Sequence, residues 1–137
     1  MDITNIKILS QEYVIENGKY FDGESIYWND YYIYEHSENG YEKSFTGLLY
    51  ETYDDGQIAY YGYIKDGVDE EDQAFFYPNG QLKSYCKMHQ GACYGKSYIW
   101  HENGQLKEVR EKSEDCKHEW IKTWDENGVL LEDRQLR

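Results

Sequence analysis

Three cysteines and four histidines are the residues of this chain best suited to chemistry, and their spacing limits what that chemistry is. Cys86, His89 and Cys93 lie close together, with Cys116 and His118 further on. A structural zinc site needs four converging ligands, and the paired short cysteine spacings typical of such sites are missing. Cys86 and Cys93 flank a turn at 87–92, which lets them face each other across a hairpin. Three is too few and too odd a number for a disulfide framework. The expectation is reduced thiols, with no metal and no cofactor. His36, His89, His101 and His118 offer acid–base groups, but no serine or cysteine nucleophile has a suitably spaced partner. Glycine-rich phosphate loops are absent as well. The chain is expected not to be an enzyme, with no catalytic residue to assign.

The densest charge is the run Asp69-Glu70-Glu71-Asp72. It lacks the alternating oxygen spacing and central glycine of a calcium loop. A solvated charged turn is the plain reading. The competing one is a docking patch, favoured by the company the run keeps: Asp54, Asp55, Asp66 and the stretch Tyr60-Tyr61-Gly62-Tyr63 share its repeat.

Charge and tyrosine are both unevenly spread. Of the 137 residues, 27 are acidic and 14 basic, for a net charge of −13. Residues 1–72 hold 17 acids and 4 bases, while residues 73–137 hold 10 of each. Twelve of the 16 tyrosines also precede residue 73. A chain of this charge repels nucleic acid, whose binding is driven by lysine and arginine. It also lacks the basic segments that anionic lipid attracts. Met1 to Ser10 shows no basic region followed by an apolar run, so no leader is expected and the location is read as cytoplasmic.

The elements that carry these residues are set by a repeat. Gly56, Gly80, Gly104 and Gly128 stand 24 residues apart. Each closes a turn: Asp54-Asp55-Gly56, Pro78-Asn79-Gly80, Glu102-Asn103-Gly104 and Glu126-Asn127-Gly128, of the Asn-Gly and Asp-Gly kind that tolerates a left-handed backbone. Two residues on comes Ile58, Leu82, Leu106 or Leu130, and four before three of the glycines comes Phe76, Trp100 or Trp124. A second turn follows eleven residues after each glycine, at Asp66-Gly67, Gln90-Gly91 and Glu114-Asp115. Each unit therefore reads as turn, strand, turn, strand, with strands at about 81–87 and 94–100 in the clearest copy. The fold class is all-β: an antiparallel meander of consecutive hairpins whose Leu/Ile and Phe/Trp columns form the core. Thin sheets that expose much of each strand fit the low hydropathy and the 18% aromatic content. Residues 1–137 form a single domain, with degenerate repeats and an N-terminal cap over 1–49 and regular repeats over 50–137. His101 falls where the sister repeats carry Tyr53, Tyr77 and Asp125, a position too freely exchanged to be catalytic.

The segments 45–51, 77–83 and 101–107, with their Tyr-x-Asn-Gly-x-Leu-Lys character, resemble the bacterial MORN-variant repeat over about residues 45–131. The second-turn glycine is kept at Gly67 and Gly91 but is Asp115 in the last unit. The resemblance implies kinship with YwqK-type antitoxins and other immunity proteins, which neutralise secreted or contact-delivered toxins by binding them. The expected function is that of an immunity protein or antitoxin for a cognate protein toxin. A basic toxin, a nuclease or deaminase, suits an acidic binder. The expected partner-binding residues are Asp54, Asp55, Tyr60, Tyr61, Tyr63, Asp66, Asp69, Glu70, Glu71 and Asp72. A scaffolding or protein-interaction module without a toxin partner is the alternative.

Overall fold

The computed structural model describes residues 6–36 and 39–137. Residues 1–5 of the stretch read for a leader lie outside that range. Strand accounts for 56% of the chain and helix for 5%. The elements are α1 (Gln11–Asn17), β1 (Lys19–Tyr20), β2 (Ile26–Asn29), β3 (Tyr32–His36), β4 (Glu42–Ser44), β5 (Gly47–Thr52), β6 (Ile58–Lys65), β7 (Val68–Phe76), β8 (Leu82–His89), β9 (Ala92–Trp100), β10 (Leu106–Lys112), β11 (Glu119–Trp124) and β12 (Leu130–Gln135). Strands β5 to β12 pair in chain order as the expected antiparallel meander, and β1 adds to β5 in parallel. The two strands predicted in the clearest repeat are β8 and β9, each reaching slightly further into the 87–92 turn.

The glycines of the 24-residue register work differently from the plain Asn-Gly expectation. In Tyr53–Gln57 the Gly56 amide donates to the Tyr53 carbonyl at 2.9 Å, and the Tyr53 amide to the Gln57 carbonyl at 2.8 Å. Only the glycine is left-handed, at φ +88°. This is a type I turn closed by a glycine bulge, and the residue before the glycine serves as a side-chain cap. Asp55, Asn79 and Asn103 each accept the amide two residues on, at 3.0, 2.9 and 2.9 Å. The two-residue turns at the opposite end are the ones with both central residues left-handed: Asp66 and Gly67 at +50° and +86°, Gln90 and Gly91 at +51° and +85°.

Successive repeats are locked turn to turn. Tyr53 Oη donates to the Phe76 carbonyl at 2.6 Å, Tyr77 Oη to that of Trp100 at 2.7 Å, and His101 Nε2 to that of Trp124 at 2.9 Å. The exchange of His101 for tyrosine thus preserves a donor. Asp125, in the same column, caps its own turn by accepting the Asn127 and Val129 amides at 2.9 and 3.0 Å.

Residues 6–46 build on both faces of this sheet. On one face α1, capped by Ser10 Oγ accepting the Tyr13 amide, adds Val14 to the core cluster of Leu48, Ile58, Tyr61, Ala74, Tyr85, Tyr98, Trp100 and Val109. On the other face β2, β3 and β4 form a separate three-stranded sheet, whose Ile26 and Ile33 pack with Phe45, Leu49 and Ile64. The segment expected to hold degenerate repeats thus does contain strands, but β2, β3 and β4 make a second layer instead of further rungs of the meander. The Leu/Ile column is core at Ile58, half-buried at Leu82 and Leu106, and exposed at Leu130. Its burial ends where the covering layers end.

Candidate functional site

The expected binding residues do not share a surface. Asp54 and Asp55 sit on the turn at one end of the meander, and Asp66 sits on a turn at the other, tied to Thr46 through its amide. Tyr61 is in the core with no exposure, and its hydroxyl accepts the Leu9 amide at 3.0 Å. It holds the N-terminal segment onto the sheet and offers nothing to a partner. Tyr63 is half-buried against the same helix-side core. Tyr60 points to the opposite face, its ring centroid 4.9 Å from that of Phe75.

The acidic run is likewise not a solvated turn. It lies inside β7, where residues 70–72 bulge opposite the single Tyr63 between the pairs Gln73↔Gly62 and Asp69↔Ile64. The bulge sends the carboxylates to different partners. Asp69 accepts from Tyr60 Oη at 3.4 Å, and its burial raises its pKa. Glu70 accepts the Gln90 amide at 2.9 Å and meets His89 Nδ1 at 2.8 Å; the amide first and the imidazole second hold its pKa below the ordinary range. Asp72 accepts from Tyr85 Oη at 2.6 Å on the helix side. Glu71 alone faces solvent, at φ +65°. With their oxygens turned apart the four cannot chelate, and no cluster of metal-ligating side chains occurs among the described residues.

A better-formed site is the crevice between the two sheets, about 220 Å³, lined by Phe21, Trp28, Ile33, Leu49, Glu51, Tyr60, Asp69, Gln73 and Phe75. Its walls are aromatic and its charges are all negative, from Glu51 and Asp69. Burial, followed by the nearby Asp69 charge, pushes the Tyr60 hydroxyl pKa up, so this tyrosine stays neutral. The rim is exposed: Trp28 is 54% accessible, and Tyr31 at the adjoining β2–β3 turn is 86% accessible. Of the ten expected residues only Tyr60 and Asp69 belong to this crevice. Phe21 and Trp28 escaped sequence reading because the irregular N-terminal segment offers no register to place them. The available signal was an aromatic-rich stretch with tryptophan among polar residues at 26–32.

The concavity on the far half of the meander is different in kind. Lys96, Glu111, Lys122 and Asp133 surround Trp120 there, and they neutralise one another in cross-strand pairs at 3.5 and 3.8 Å. No helix among the described residues is long and apolar enough to cross a membrane. No protein-family model, curated protein or solved structure matches the chain.

Proposed function

We propose that this protein is an immunity protein or antitoxin that neutralises a basic protein toxin, such as a nuclease or deaminase, by direct binding. The observation that carries the reading is the coincidence of charge and aromatic exposure. The entire net charge of −13 belongs to residues 1–72, and the same segment supplies Trp28, Tyr31 and both carboxylates of the aromatic crevice. A lysine or arginine of the partner entering that crevice meets ring faces and carboxylates together, an arrangement favourable to cations. Acidic side chains beside a toxin's phosphate-attracting cleft speed encounter, and rigid aromatics make the lasting contacts. The MORN-like register of residues 45–131 supports a binding role in place of catalysis.

The test is co-purification with the product of the neighbouring gene, followed by binding kinetics. The pair Trp28→Ala and Glu51→Lys should weaken the complex at least about tenfold, as expected for an aromatic anchor with its charge partner. Lys96→Glu and Lys107→Glu should leave it unchanged. If only the changes on the neutral half abolish binding, the scaffold alternative gains and the acidic crevice is not the docking site.

A further inference from the structure

Beyond any partner-binding role, the sheet brings two thiols into contact at a place where the repeat is broken. Cys86 in β8 and Cys93 in β9 lie with their Sγ atoms 3.0 Å apart. The strand register pairs Met88 with Cys93 and Ser97 with Cys86. The bulge at residues 95 and 96, with Gly95 at φ +70°, advances β9 by two residues, which puts Cys93 opposite Met88 and so diagonal to Cys86. Met88 Sδ lies 3.4 Å from Cys86 and 3.7 Å from Cys93, a polarisable wall that neither blocks nor consumes the thiols. One repeat earlier the equivalent positions are Gly62 and Asp69, so both cysteines are departures from the register. The two differ in access: Cys86 is buried and Cys93 is exposed.

We propose that Cys93 and Cys86 form a redox-active dithiol, with Cys93 the attacking thiol and Cys86 the resolving one, whose oxidant is a low-molecular-weight disulfide. The Cys93 thiolate attacks one sulfur of the oxidant; the oxidant's S–S bond breaks, one small thiolate leaves and takes a proton from water. Cys86 then gives up its proton and attacks Cys93 Sγ, expelling the second small thiol as the Cys86–Cys93 bond forms. Two protein thiols are oxidised, one small disulfide is reduced to two thiols, and no other reactant is needed.

The electrostatics assign the roles in the same order. Either sulfur of the 3.0 Å contact can donate, but the thiolate belongs on the exposed Cys93 with the buried Cys86 S–H as donor; that contact first, with Lys112 near, pulls the Cys93 pKa below the ordinary thiol range. The same contact, with burial, pushes Cys86 up. Once Cys93 is in a mixed disulfide its negative charge is gone, and with it the main cause that holds the proton on Cys86. Closing the bond shortens the Sγ contact by about 1 Å, which is within reach of side-chain rotation on a bulged strand. The closed loop spans only residues 87–92, so the cross-link removes less chain entropy than a bridge between distant strands would. It is therefore suited to reversible oxidation and not to stapling the fold.

The experiment is treatment of the full-length protein with oxidised glutathione near neutral pH, an acid quench, intact mass and peptide mapping. The expected product has lost the mass of two hydrogen atoms, carries a Cys86–Cys93 cross-link, and returns to the starting mass with dithiothreitol. Cys86→Ala should stop at a glutathione adduct on Cys93, and the pH profile of Cys93 alkylation should move to higher pH. Cys93→Ser should leave Cys86 unmodified. A wild-type protein that accumulates the Cys93 adduct without resolving it, or a cross-link that includes Cys116, overturns the proposal. Equal reactivity of Cys86 in the Cys93→Ser protein overturns the assignment of roles.

Discussion

Glu71 and Gly95 show how far a single residue can be read from its repeat. They are 24 positions apart, both lie in bulges, and both are left-handed, at φ +65° and +70°. A side chain at that angle carries a cost that glycine does not. Glu71→Gly, which restores the sister repeat's residue, should therefore stabilise the protein by about 0.5–1 kcal/mol in chemical denaturation. A loss of stability would mean the bulge is not strained. The neighbouring acids behave differently. Tyr85→Phe strands the half-buried Asp72 carboxylate without its donor and should cost about 1–2 kcal/mol. Asp69 works in the other direction. Burial raises its folded pKa above the unfolded one, so folding takes up a proton as pH falls through that raised value. The charged form is thus a burden at neutral pH, and stability contributed by this group grows as the pH drops into the carboxylate range. Asp69→Asn should raise the neutral-pH melting temperature and remove that gain; a lower melting temperature at neutral pH would show that its Tyr60 contact outweighs desolvation. None of this was visible in the sequence, where the four acids look like one solvated turn. Composition gives charge, but only the bulge decides which carboxylate goes to which face.

At the scale of elements the hairpins were legible because their signals are local: a glycine at fixed spacing, a capping Asp or Asn before it, an apolar residue two positions after. The helix was not. Its seven residues bury only Val14, so no 3.6-residue pattern exists to be seen, and its one clear sign is the Ser10 cap. The second sheet was half legible, since its strands could be marked but its layer depends on tertiary contacts. Gly67 makes the point. It and Gly91 occupy the same turn position with nearly the same φ, +86° and +85°. Gly67, however, sits at a backbone junction, donating to Phe45 and accepting from Ile33, both at 2.8 Å. A Cβ there would lie 2.9 Å from the Ile33 carbonyl oxygen, whereas at Gly91 it would meet nothing. Gly67→Ala should consequently destabilise well beyond the roughly 1–2 kcal/mol of strain expected at Gly91. Equal losses for the two variants, measured by denaturation, would deny that the small sheet hangs from this turn. The core columns need a similar correction. Trp100→Ala should cost about 3–5 kcal/mol, and so should Tyr61→Ala, because Tyr61 is buried at the centre of the first half and not displayed on it.

The whole molecule is graded from a thick acidic end to a thin neutral one. Strands β5 to β8 lie between α1 and the three-stranded sheet or directly beside them, and supply half of the buried hydrophobic side chains. Beyond β9 the sheet is a single layer. Its last strand leaves Leu130 and Leu131 at 51% and 63% exposure, and Glu119 is held among Arg110 and Arg137 at 3.3 Å where a thicker protein would have apolar contacts. The arginine ends of these pairs are exposed while Glu119 is buried, so the attraction is offset by desolvation of the carboxylate and adds little net stability. Local opening is governed by how much apolar contact a strand must give up, from near zero at a frayed edge to the global value in a covered core. Hydrogen exchange should therefore show the slowest amides in β6, β7 and β8, with protection declining stepwise through β10 and β11 to β12. Adding salt should speed exchange at β11 and β12 slightly more than at β6, because screening weakens the ion pairs that supplement the backbone ladder there. If β11 and β12 exchange as slowly as β7, the far end is not a single layer in solution and another surface covers it. The predicted gradient also places the aromatic crevice on the rigid half, where a binding site loses least conformational entropy when a partner docks.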